Sequence, residues 1–177
     1  MHRLLCALAC LLQTTIPWDS VDPSYLTVPR RWSAKNLAKF MLVIGPLSSI
    51  FDVTTFLLIW YTFHYTDANN PEMVAKAQTC WFLESLLSQT FVVHLLRTER
   101  IPFLQSWAAL PVLISTFGAM GIGYALPYIP GMGSNGFLQM AAVPLEFYGM
   151  LAAILVCYCV IVQSAKVLYK RWSDSWL

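Results

Sequence analysis

FMLVIGPLSSIFDVTTFLLIWYTF, residues 40–63, is long enough to cross a bilayer as one helix, because a hydrocarbon core about 30 Å thick takes roughly 20 residues at 1.5 Å each. Only Gly45-Pro46, Ser48-Ser49 and a single acid, Asp52, interrupt its apolar character. The rest of the chain has the same cast. Of its 177 residues 58% are hydrophobic, 14% aromatic and 11% charged, with a mean hydropathy of +0.59. That charge content is less than half the usual share of about 25% in soluble domains, and a chain this short exposes too much surface to hide such a composition in a water-soluble core. The bilayer is its solvent, and 177 residues leave room for four or five membrane segments and none for a soluble catalytic domain. A net charge of +2 gives no basic arm for nucleic acid, and five cysteines, an odd number, give no disulfide framework.

Working outward from residues 40–63 predicts a single all-α membrane domain over 1–177, a helix bundle of about four full spans plus a short N-terminal segment. The short segment is 4–16, about 13 apolar residues. Met1-His2-Arg3 followed by Leu4 to Leu12 also has the look of a secretory signal, a reading the charge distribution opposes below. Trp18 to Lys39 reads as a polar connection with a basic second half. A polar hairpin over 66–76 leads to a span at 77–96 that contains Glu84 and Gln89. A further span at 107–127 precedes a loop rich in Gly and Pro, and the last span, 147–167, ends among Lys166, Tyr169, Lys170, Arg171 and Trp172.

The 11 Lys and Arg residues then set the orientation. Arg30, Arg31, Lys35, Lys39, Arg97, Arg100, Lys166, Lys170 and Arg171 fall on one side of this arrangement, and only Arg3 and Lys76 on the other. With positive loops inside, the first segment enters from outside and five segments finish with a cytoplasmic C-terminus, in the cell membrane as a multi-pass protein. Cleavage of a signal would export the stretch holding Arg30, Arg31, Lys35 and Lys39, so the first segment is read as membrane-embedded.

Two acids stand inside predicted spans, where a charged carboxylate is expensive and marks a functional site by default. Asp52 has Ser48, Ser49 and Thr55 at one helical turn; Glu84 has Ser85, Ser88 and Gln89. Asp52, Glu84, Ser48, Ser49, Ser88 and Gln89 are therefore either a cation path or a network of interhelical hydrogen bonds. Magnesium suits the first reading, since it keeps several waters and uses one or two carboxylates. Cys157 and Cys159, about 200° apart on a helix, cannot chelate one ion, and Cys6 and Cys10 read as apolar packing residues. Gly118, Gly121 and Gly123 suggest close helix packing or a bend, and Gly121-Ile122-Gly123 lacks the preceding strand of a phosphate loop. No catalytic or cofactor-binding residue is assigned, and none of the histidines has metal-ligand spacing.

Gly45-Pro46-Leu47-Ser48-Ser49-Ile50-Phe51-Asp52, Trp81-Phe82, Leu87-Ser88-Gln89-Thr90 and Val93-His94-Leu95-Leu96-Arg97-Thr98 together resemble the C-terminal membrane region of magnesium-transporting P-type ATPases. Ile16-Pro17-Trp18-Asp19, Arg100-Ile101-Pro102-Phe103 and Ala125-Leu126-Pro127 extend the resemblance over about residues 12–170. It implies that the five segments are the last five of ten membrane helices, the first beginning partway through the sixth. It also implies an ATP-driven magnesium or cation translocase of which these residues are a part, not an enzyme alone, with the N-terminal and catalytic half as partner. The family's Asp-Lys-Thr-Gly-Thr phosphorylation motif does not occur in this sequence. Cys6 and Cys10 fall where the family's sixth helix carries an Asn and an Asp, so the cation-binding expectation rests on Asp52 and Glu84. The other expectations are an independent small membrane protein, channel-like or regulatory, acting as a homo-oligomer, or a truncation product without function.

Overall fold

The computed structural model describes residues 6–8, 10, 13–19, 34–67, 69–98, 107–129 and 138–173. All regular structure among them is helical, in four long helices: α1, Ala34–Tyr61; α2, Pro71–Leu96; α3, Leu110–Ala125; and α4, Leu145–Ser173. Short 3-10 turns lie at Ile16–Trp18, ahead of α1 in the chain, and at Leu126–Tyr128, directly after α3. Of the short N-terminal segment expected at 4–16, residues 6–8, 10, 13 and 14 are helical, Thr15 is in a turn, Ile16 opens a 3-10 turn, and the others lie outside the described residues.

The helices start where the chain supplies a start signal. At α2 the side chain of Asn70 accepts from the backbone N–H groups of Glu72 and Met73 at 3.1 and 3.5 Å, and Pro71 takes the first position, where its missing N–H has no intrahelical partner to lose. This moves the helix start to residue 71, ahead of the expected 77, because the cap and not the onset of apolar residues decides it. α1 likewise starts at Ala34, so Lys35 and Lys39 belong to the helix and not to the connection before it. α4 runs on to Ser173, past the expected 167.

Among the described residues three stretches are long and apolar enough to cross a membrane: Met41–Tyr61, Leu110–Tyr128 and Leu145–Tyr169. The expected fourth full span, 77–96, differs. α2 has the length, with 26 residues or about 39 Å of rise, but not the apolarity. The packing supplies the reason: α2 contacts each of α1, α3 and α4, so most of its surface meets protein and not hydrocarbon. Thr79, Glu84, Ser85, Ser88, Thr90 and His94 are all buried along it. The other helices turn large side chains outward, including Leu42, Phe56 and Trp60 of α1, Ile114 and Phe117 of α3 and Val156, Val160 and Leu168 of α4.

The buried apolar residues form a large cluster toward the α1–α2 hairpin, built on Ile59, Phe82, Leu86, Met140, Phe147 and Leu151, and smaller ones around Phe51, Tyr158 and Val162 and around Ile44 and Tyr169. Met140 and Val143, in the connection between α3 and α4, pack into the first cluster. Of the three glycines expected to permit close packing, only Gly123 does so: a Cβ there would collide with the Leu86 side chain, whereas Gly118 and Gly121 face open space.

Candidate functional site

The site begins with the rotation of α1. Successive helical residues turn by about 100°, so Ser48 and Thr55 fall within about 20° of one another on one flank of Asp52, and Ser49 falls on the other flank, about 120° from Thr55. Phe51, Thr55 and Ile59 are buried against α2 and α4, which fixes the inward direction on the Ser48 side. Ser48 and Asp52 are accordingly half-buried, Thr55 is fully buried, and Ser49 is exposed.

α2 presents Glu84 to this face. Its side chain is only 1% exposed, and its carboxyl lies close enough to that of Asp52 for the two acids to interact electrostatically, with Ser88 beside it one turn further on. The Ser88 hydroxyl donates to the Ser85 carbonyl at 3.2 Å. Gln89 lies about 140° around the helix from Glu84 and is exposed, so it stands outside this group, as Ser49 does. The structure thus brings together four of the six side chains expected from sequence: Ser48, Asp52, Glu84 and Ser88.

α4 contributes the residue that sequence reasoning missed. Tyr158, 1% exposed, lies beside Ser48 and within electrostatic reach of both Asp52 and Glu84, its ring packed edge-on against Phe51 with centroids 5.1 Å apart. A tyrosine in an apolar run draws no notice by itself. The signal was in the period: Phe147, Leu151, Ile154, Tyr158 and Val162 recur every three or four residues and are all buried.

Two buried oxygens in this region, Glu84 Oε2 and Thr55 Oγ1, have no hydrogen-bond partner. Such oxygens are costly to keep dry. Two facing carboxyls in a protein interior stand together only with a proton or a cation between them. The arrangement has the chemistry for either: acid oxygens, two serine hydroxyls and a phenol, all hard donors suited to magnesium and none to a soft metal. Among the described residues no three His, Cys, Asp or Glu side chains converge, so an ion held here would complete its shell with hydroxyls and water. Cys6 and Cys10 are exposed and do not reach this site, and neither sits in a described metal cluster.

A second polar cluster closes the opposite end of α2 from the hairpin. Arg97 Nη1 donates to both carboxylate oxygens of Asp19 at 2.8 Å, and its Nη2 donates to the Trp107 carbonyl at 2.8 Å. The same Asp19 accepts from the Ala109 backbone N–H at 2.9 Å, at the start of α3. Lys166, expected at the headgroup surface, is instead 2% exposed, and its ammonium donates to the carbonyls of Leu95 and Thr98 at 3.0 and 2.9 Å. The last carbonyls of a helix have no partner within it, and a cation is the complement they take. His94 Nε2 and Thr116 Oγ1, 2.9 Å apart, add a bond between α2 and α3.

Comparison with known proteins accords with this arrangement. The family model of the C-terminus of cation transporting ATPases matches residues 7–168. A magnesium-transporting P-type ATPase of Salmonella typhimurium is 48% identical over 164 residues, 93% of this chain. One of Escherichia coli is 44% identical over 159 residues, 90% of this chain. In each case the match covers 17% of the relative's length. A match to the family model over nearly the whole length shows that the chain belongs to the family of cation-transporting ATPase C-terminal regions.

Proposed function

We propose that the chain is the C-terminal membrane part of a P-type magnesium-transporting ATPase and supports cation transport together with the N-terminal and catalytic half. The observation that carries this is the 48% identity maintained over 93% of the chain to a pump whose name states magnesium transport. Phosphorylation and nucleotide binding belong to the partner, so the chain is not an enzyme by itself. Magnesium is the transported substrate, and the chain holds no cofactor of its own. In this reading α2 crosses the membrane as a fourth full span shielded by its neighbours, and the bundle is integral to the cell membrane with the C-terminal end cytoplasmic, the side on which nine of the 11 cationic residues fall.

Asp52 and Glu84, with Ser48, Ser88 and Tyr158, are the polar group of this part, and their hard oxygen donors line or brace the cation path. The test is co-expression with the membrane and catalytic half of a related magnesium pump. Co-purification, ATP-dependent phosphorylation of the partner and magnesium uptake that requires this chain are expected. A chain that accumulates stably in the membrane and does not associate overturns the reading.

A further inference from the structure

Between the last turns of α1 and the first turns of α2 lies a groove of about 320 Å³, within the size range of small-molecule sites. Phe56 and Trp60 form one wall and Trp81 the other, with Tyr65 and Asp67 of the hairpin turn at its end. The Phe56 and Trp81 rings stack at 6.2 Å and 22° across its base. Its lining is almost wholly apolar, and it opens sideways past Trp60, which is 57% exposed. One wall belongs to the span Met41–Tyr61, so the groove occupies the last turns before the headgroup layer, the depth at which tryptophan and tyrosine gather.

The rim at the hairpin is charged. The exposed Asp67 carboxylate accepts only a turn bond from Asn69 N–H, at 2.9 Å, among the contacts described for it. Lys76 and Glu72 pair at 2.8 Å one helical turn apart, and the charge of Lys76 reaches Tyr65 in the groove. That pairing holds the Glu72 carboxyl below the usual carboxylate range and the Lys76 ammonium above its usual value, so both are charged at neutral pH. Two carboxylates and one ammonium, above a narrow apolar slot, complement an amphiphile with an ammonium, a phosphate and a hydrocarbon chain, and they repel one with net negative charge.

We propose that this groove binds a zwitterionic phospholipid bearing a primary amine, with one acyl chain between Trp60 and Trp81 and the headgroup ammonium on Asp67. The site does not depend on the transport reading, and its test needs no activity. The 177-residue chain is reconstituted in phosphatidylcholine nanodiscs containing phosphatidylethanolamine with brominated acyl chains, and quenching of tryptophan fluorescence is compared with that by brominated phosphatidylcholine or phosphatidylglycerol at the same mole fraction. The groove contribution is isolated by subtracting the Trp60→Phe/Trp81→Phe protein. Quenching of that component by the amine lipid at least about twofold above either other lipid is expected. Asp67→Asn removes the excess, and Ala77→Leu, which fills the slot without touching the rim, removes it as well. Equal quenching by the three lipids, an excess that survives the double tryptophan replacement, or an excess unchanged by both Asp67→Asn and Ala77→Leu overturns the proposal.

Discussion

Glu84 and Asp52 face one another from different helices, and the hydrogen-bonding capacity of each depends on what the other retains. Glu84→Gln supplies an N–H₂ donor to Asp52 in nearly the same volume, whereas Glu84→Leu leaves the Asp52 carboxyl opposite hydrocarbon. Interhelical hydrogen bonds in membranes are worth on average about 0.6 kcal/mol and at most about 1.7. Glu84→Leu is therefore expected to lower the thermal midpoint of the detergent-solubilised chain measurably and Glu84→Gln to leave it close to wild type; equal losses would place the effect on the charge. Asp52→Asn separates path from packing: in the two-part pump, reduced magnesium uptake at normal abundance is expected, and unchanged uptake at normal abundance removes Asp52 from the path. The acids themselves were legible in the sequence because a carboxylate in an apolar run is conspicuous. The rest of the site was not. Ser48 and Ser49 are equally near Asp52 in sequence, and only the packing of Phe51, Thr55 and Ile59 shows which serine turns inward.

At the scale of the helix, α2 inverts the usual relation between burial and apolarity. It is the most enclosed of the four helices, in contact with all the others, and the one that falls short as a candidate span. Residues 77–96 read as a full span on the strength of their apolar run, but hydropathy reads the solvent a helix needs, and α2 meets protein on three sides. On the α3 side the close approach is at Gly123, where an added Cβ would meet the end of the buried Leu86 side chain. Gly123→Ala makes that side chain shift and is expected to lower the thermal midpoint relative to Gly118→Ala and Gly121→Ala, which have open space around them; equal midpoints for the three variants would show that this contact carries no such weight. Sequence placed three glycines together in this span, but their separate roles depend on which side of α3 meets α2.

For the molecule as a whole, the expected orientation rests on the positive residues' positions along the chain, and the structure gives two of them a further task. Arg97 joins Asp19 to the start of α3, its side chain 9% exposed and that of Asp19 14%. Removing one partner of so enclosed a pair strands the other charge, a loss of about 3–5 kcal/mol. Arg97→Leu should therefore abolish a cooperative thermal transition or lower its midpoint far more than Arg97→Lys, with Asp19→Arg/Arg97→Asp recovering part of the loss; equal midpoints for the leucine and lysine variants would show that the pair carries no such weight. No periodicity could have joined residues 78 positions apart. Lys166 is the other case, holding the carbonyls of Leu95 and Thr98 across separations of 71 and 68 residues. On a ribosome those carbonyls emerge well before the lysine that completes them. The end of α2 thus lacks its cation while the 68 residues from Thr98 to Lys166 are being added, and it is completed only when α4 has been made.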